Sequence, residues 1–123
     1  MMMKVLIVED FADTRELLKM IVRLQGCDTA EAADGAEGVA AALREQPDLI
    51  LMDLNLPVLD GWEATRRIRA GARTSHIPVV AISAQCSGDW KRRALAAGAC
   101  ECMEKPVNFA AMDSLLRRYP AHC

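Results

Sequence analysis

The sequence predicts a doubly wound α/β domain: one five-stranded parallel sheet with five helices, in the strand order 2-1-3-4-5. Short apolar runs alternate with amphipathic stretches about ten to fifteen residues long, the pattern of repeated βα units. Three of the runs are nearly continuous Val, Ile and Leu, as parallel strands buried on both faces must be. Acidic capping residues and glycines punctuate the stretches between them. The pattern fills all 123 residues. The expected organisation is therefore a single domain over 1–123, with no effector domain.

Taken in order, the first strand is expected at Lys4 to Val8. The first helix opens at Asp13, three before Glu16 as in a capping box, with Leu17, Ile21 and Leu24 at helical spacing and Gly26 as its stop. A second strand, Cys27 to Ala32, mixes polar and apolar residues and reads as a sheet edge. The second helix opens at Asp34 with Glu37 and runs through Val39 and Leu43 until Pro47 ends it. The third strand is Leu49 to Met52. Its helix opens at Asp60 with Glu63, turns Trp62, Thr65 and Ile68 to one face and ends at Gly71. The fourth unit pairs a strand at Ile77 to Ile82 with a helix from Asp89 to Ala97, stopped by Gly98. The fifth pairs an edge strand at Cys100 to Met103 with a helix capped by Asn108. That helix carries Met112, Leu115 or Leu116 and Tyr119 inward and ends at Pro120. Right-handed crossovers put helices on both faces, and two weak edge strands favour the order 2-1-3-4-5. Ligands of such a sheet bind beyond the carboxyl ends of strands one and three.

Composition narrows the function classes. Hydrophobic side chains make up 52% and charged ones 26%, enough for a core that needs neither disulfides nor a structural metal. Fifteen Lys and Arg stand against seventeen Asp and Glu, a net charge of −2, so there is no footprint for nucleic acid. No run approaches the roughly 18 apolar residues of a membrane span, and Met1 to Lys4 lacks a secretory signature, so the expected compartment is the cytoplasm. Five cysteines without framework spacing read as reduced, mostly buried thiols. Cys100 and Cys102 form only a C-x-C, with His76 and His122 elsewhere, which does not make a zinc site.

What collects at the carboxyl ends of the strands is more specific. The first strand ends in Glu9 and Asp10, the third in Asp53, the fourth in Ser83, and the fifth leads into Lys105 and Pro106. Three carboxylates converging in a cleft repel one another and must protonate or hold a cation. All-oxygen ligands suit Mg²⁺, with Mn²⁺ as the alternative, and Mg²⁺ commonly shares a phosphate oxygen. Lys105 and Ser83 then offer a compact cation and a hydroxyl donor to an arriving anion. The segment VEDFADT after the first strand contains neither glycine-rich nucleotide fingerprint, and no His or Cys–His pair supplies an acyl-transfer triad. An aspartate is the nucleophile left, and it can take a phosphoryl group as an acyl phosphate.

The strings KVLIVED at 4–10, MDLNLPVLDG at 52–61, VVAISA at 79–84 and GACECMEKP at 98–106 resemble the receiver domain of bacterial two-component response regulators. They stand in that family's order and spacing over essentially the whole chain. The resemblance implies the flavodoxin-like fold, with Asp53 as phosphoacceptor from a histidine kinase or a histidine phosphotransfer protein. It implies Asp10 and Asp53 as direct Mg²⁺ ligands, Glu9 acting through water, and the Asn55 backbone carbonyl completing the set. Ser83 would bond one phosphoryl oxygen and Lys105 another, aimed by a cis Lys105–Pro106 bond. Pro57, Asp60 and Gly61 would be structural, and Asn55 and Gln85 would tune water access. Cys102 occupies a place where the family commonly has Tyr or Phe, and it is expected to pack as a small hydrophobe. Trp62 and Trp90 are expected to pack, and the runs Arg66, Arg67, Arg69 and Lys91, Arg92, Arg93 to be solvated helix faces.

The implied function is a signalling domain that promotes only its own phosphorylation and dephosphorylation and changes its binding to a downstream protein, without membrane insertion or nucleic-acid contact. Two alternatives stay open: a phosphorylation-independent binding module, and a receiver cut from a hybrid histidine kinase. A metal-dependent phosphatase is disfavoured because Asn55 stands where such an enzyme needs its second acid.

Overall fold

A computed structural model describes residues 3–119. The elements follow the expected alternation: β1 (Lys4–Val8), α1 (Ala12–Leu24), β2 (Asp28–Ala32), α2 (Gly35–Glu45), β3 (Leu49–Asp53), α3 (Gly61–Ala70), β4 (Val79–Ser83), α4 (Gly88–Ala97), β5 (Glu101–Glu104) and α5 (Phe109–Arg118). The strands form one parallel sheet in the order β2-β1-β3-β4-β5. Alternate residues of the three central strands feed two cores. Val5, Ile7, Leu51 and Ile82 pack with Leu18, Ile21 and Val22 of α1 and Met112 and Leu115 of α5. Leu6, Val8, Ile50 and Met52 pack with Ala41 and Ala42 of α2 and Ala64 and Ile68 of α3. Each large aliphatic chain buried in this way contributes about 1.5–3 kcal/mol.

Three caps are as expected: Asp34, Asp60 and Asn108 accept the backbone N–H of Glu37, Glu63 and Ala111. Gly26 and Gly98, at φ +86° and +115°, supply the left-handed residues that stop α1 and α4. Among the described residues, no helix is long and apolar enough to cross a membrane. Pro120, expected to end α5, lies outside the described residues.

The first helix departs from expectation. Its cap is Phe11, without a side-chain cap bond, and Asp13 lies within the first turn, where it faces only the positive end of the helix dipole. The chain has already turned at Glu9, whose Oε2 accepts the Phe11 N–H at 3.1 Å, so the helix starts earlier than the capping pattern indicates. Leu17 and Leu24 are exposed, and the inward face is Leu18, Ile21 and Val22. Both sets satisfy a 3.6-residue period, and docking on the sheet selects the second. In α2, Leu43 is likewise exposed. The helix approaches β1 through Gly38, Ala41 and Ala42, and a Cβ on Gly38 would stand 2.9 Å from Val8 Cγ1.

The expectation of reduced thiols, with Cys102 as an isolated small hydrophobe, is corrected. Cys86 and Cys102 form a disulfide with Cα atoms 5.7 Å apart. Parallel pairing of Ala81 with Cys102 places β5 beside the loop after β4, a proximity that residue spacing does not reveal. Cys27 is a free thiol whose pKa is pushed up by burial and by the nearby Asp48.

Candidate functional site

Because the strands are parallel, the residues that end β1, β3, β4 and β5 share one edge of the sheet. Asp53 is the last residue of β3 and Ser83 the last of β4, while Glu9 and Asp10 follow β1 directly. Glu9, Asp53 and Ser83 are buried and Asp10 is exposed. One carboxylate oxygen from each of Glu9, Asp10 and Asp53 can be chosen so that all three lie within 4.8 Å of one another. They line a cleft of about 710 Å³ together with Asn55, Ser83 and Lys105.

Lys105 closes this cluster from the fifth strand. Its backbone N–H donates to the Ser83 carbonyl at 2.8 Å, and the Lys105–Pro106 peptide is cis, as expected. Its ammonium reaches Glu9 Oε1 at 2.9 Å and Asp53 Oδ2 at 3.3 Å. Burial works to lower the Lys105 pKa, but the Glu9 and Asp53 carboxylates outweigh it, and the net shift is upward. The ammonium therefore stays charged where an anion would arrive. Asp53 Oδ1 accepts the Asn55 N–H at 3.0 Å, which orients the carboxylate across the loop. Three carboxylates still face one ammonium, and their oxygen-only donor set suits a hard divalent cation.

The loop from Asp53 to α3 holds its place by close backbone approach. A Cβ on Gly61 would stand 2.1 Å from the Asp53 carbonyl oxygen and 2.6 Å from Leu54 Cα. The Gly61 N–H meanwhile donates to the Leu54 carbonyl at 3.2 Å, and Asp60 caps the helix that follows. The structural role expected of Asp60 and Gly61 is visible in these contacts.

One contact escaped the sequence. Trp90 Nε1 donates to Ser83 Oγ at 2.6 Å, and the Gln85 N–H reaches the same oxygen at 3.3 Å. Trp90 also meets Trp62 edge to face, with ring centroids 5.2 Å apart, and the Arg93 guanidinium lies 4.5 Å from the Trp62 ring centroid. All three side chains line the cleft. Packing was the expectation for the tryptophans and solvation for Arg93. The available signal was the position of Trp90 on the first turn of the helix after Ser83. Lys91 and Arg92 are exposed as expected.

Comparison with known proteins gives a consistent result. The family model described as "Response regulator receiver domain" matches residues 5–117. The chain is 35% identical over 107 residues to protein PilH of Pseudomonas aeruginosa, covering 87% of this chain and 88% of that protein. It is 38% identical over 119 residues to the transcriptional regulatory protein PrrA of Mycobacterium tuberculosis, covering 94% of this chain and 50% of PrrA. The chain thus spans about half the length of that regulator. Among solved structures, the receiver domain of the sensor histidine kinase PA1611 of Pseudomonas aeruginosa superposes with a TM-score of 0.89. It shares 34% identity, with 97% of this chain and 98% of that one covered, and it holds a magnesium ion in its active-site cleft. The chemotaxis protein CheY4 of Vibrio cholerae superposes with a TM-score of 0.90 at 30% identity, covering 96% and 98%.

Proposed function

We propose, for a chain that belongs to the response regulator receiver family of two-component signalling, that Asp53 is its phosphoacceptor. The observation that carries this reading is the Lys105 ammonium bridging Glu9 and Asp53 inside the cleft. The same residues fit a divalent ion: Glu9, Asp10 and Asp53 with the Asn55 carbonyl would hold Mg²⁺, with Mn²⁺ as the alternative. When bound, the ion offsets the negative charge of the carboxylates and of the incoming phosphoryl oxygens.

The chain's own residues divide the rest of the work. An Asp53 carboxylate oxygen forms the new bond to phosphorus while the donor's phosphorus–nitrogen bond breaks, and the departing imidazole keeps that electron pair. Lys105 is already charged and can pass from carboxylate to phosphoryl oxygen without crossing the cleft. Ser83 offers its hydroxyl proton to another oxygen. Such contacts, made only in the phosphorylated state, shift the population of loop and helix arrangements and so change partner affinity. The phosphodonor is a histidine kinase or a histidine phosphotransfer protein. Its docking face is the outward side of α1, where Leu17, Met20 and Leu24 are exposed at helical spacing and Leu17 shares a groove with Lys105 and Pro106.

Intact mass after incubation with acetyl phosphate and Mg²⁺ tests the reading. A single phosphoryl adduct is expected, absent in Asp53→Asn and in chelator. No adduct in the unsubstituted chain would identify a phosphorylation-independent binding module instead.

A further inference from the structure

We propose that Trp90 is a positioning residue for this site, acting through the Ser83 hydroxyl; the proposal rests on the reading of Asp53 as phosphoacceptor. A serine hydroxyl has one proton to donate and two lone pairs that accept. In this structure both acceptor directions are engaged, by the Trp90 indole N–H at 2.6 Å and the Gln85 backbone N–H at 3.3 Å. The hydroxyl proton is what remains to offer, and Ser83 lies in the wall of the cleft that holds Asp53 and Lys105. An indole N–H is a donor only, so Trp90 cannot take that proton. It fixes Ser83 as a donor toward an arriving anion, and the chain N–H···O–H···anion polarises each bond in the same sense.

The ring is itself held. Trp62 is buried and meets Trp90 edge to face at 79°, and Arg93 lies within 5.5 Å of the Trp90 centroid. Trp90 is therefore a half-buried lever with its N–H on the reacting site and its flank on an exposed guanidinium of α4. Position 102 cannot take over that role, because the Cys86–Cys102 disulfide ties it to the loop after β4. Any movement of the Ser83 hydroxyl on phosphorylation is transmitted first to Trp90.

A double-mutant cycle tests the assignment. Beryllofluoride, a phosphoryl mimic, is titrated with Mg²⁺ into the unsubstituted chain, Trp90→Phe, Ser83→Ala and the double variant, with the adduct counted by fluorine NMR. Trp90→Phe keeps an aromatic ring and removes one neutral hydrogen bond, so affinity is expected to fall roughly two- to tenfold. In the Ser83→Ala background the same change is expected to cost nothing. No loss, or an equal loss in both backgrounds, would overturn the proposal, since a packing effect survives removal of the hydroxyl. A second measurement leaves Trp90 in place. The chain has two tryptophans, so Trp62→Phe makes Trp90 the sole emitter. Its emission is expected to change when the adduct forms and to stay constant in a Ser83→Ala version. Constant emission despite an adduct in the fluorine spectrum would overturn the role of Trp90 alone. A spectrum without adduct in the unsubstituted chain would instead overturn the phosphoacceptor reading, and this proposal with it.

Discussion

The Lys105 ammonium stands 2.9 Å from Glu9 Oε1, joining residues 96 apart in sequence across the carboxyl ends of β1 and β5. Glu9 is 2% exposed, so its carboxylate finds its partners inside the protein. Lys105→Met would leave Glu9 and Asp53 without this ammonium, at a cost of about 1–3 kcal/mol, the penalty for an unsatisfied buried group. The urea midpoint in metal-free buffer is expected to fall accordingly and to recover in part with Mg²⁺. A midpoint unchanged by the substitution would contradict this.

Stability is expected to decline in alkali. Burial pulls the Lys105 pKa down, but Glu9 and Asp53 more than compensate. Burial and the Glu101 carboxylate, which accepts the phenol proton at 2.8 Å, push Tyr119 up. Both groups thus hold protons more tightly folded than unfolded, where their pKa values are about 10.4 and 10. Their stabilisation is full below about pH 10 and is lost as pH rises through the folded values. Urea midpoints measured across this range should be level and then fall, and Tyr119→Phe should lessen the fall.

Gly61→Ala would drive a Cβ into the Asp53 carbonyl, and backbone cannot rotate out of the way as a side chain can. Overpacking of this kind costs about 1–3 kcal/mol. The variant should melt earlier and accept a phosphoryl group more slowly, because the strain falls on the residue that reacts. A variant with normal stability and normal phosphorylation would show that α3 does not position Asp53.

Cys86→Ser opens a bridge between residues 16 apart. In the chain-entropy model a loop of that length is worth about 3 kcal/mol. Differential scanning calorimetry under non-reducing conditions should record a drop in Tm of order 10 °C. An unchanged Tm would mean that the bridge does not form in solution.

Much of the fold was legible because the central strands are buried on both faces. Residues 5–8 read as an uninterrupted apolar run, and the sheet order follows from the weaker patterns of β2 and β5. Local signals were sound where the helix end is self-contained, as at Asp34, Asp60 and Asn108. They failed where a distant element decides. The face of α1 is selected by the sheet, so Leu17 and Leu24 turn outward and Leu18 and Val22 inward. The Cys86–Cys102 bridge and the Trp90–Ser83 bond both depend on how the chain leaves β4 and returns along β5. In the candidate site, Glu9, Asp53, Ser83 and Lys105 could be placed from sequence because each sits at or beside a strand end. Trp90 could not, because its reach to Ser83 is set by the path of the loop before α4.

The measurement that tests the central claim most directly is borohydride trapping after incubation with acetyl phosphate and Mg²⁺, followed by peptide sequencing. Hydride reduces an acyl phosphate to the alcohol and releases phosphate, so a phosphorylated aspartate becomes homoserine. Homoserine at position 53 and at no other acidic residue is the predicted result. Homoserine at Asp10 or at any other aspartate, or an unaltered Asp53 in every peptide recovered, would contradict the account.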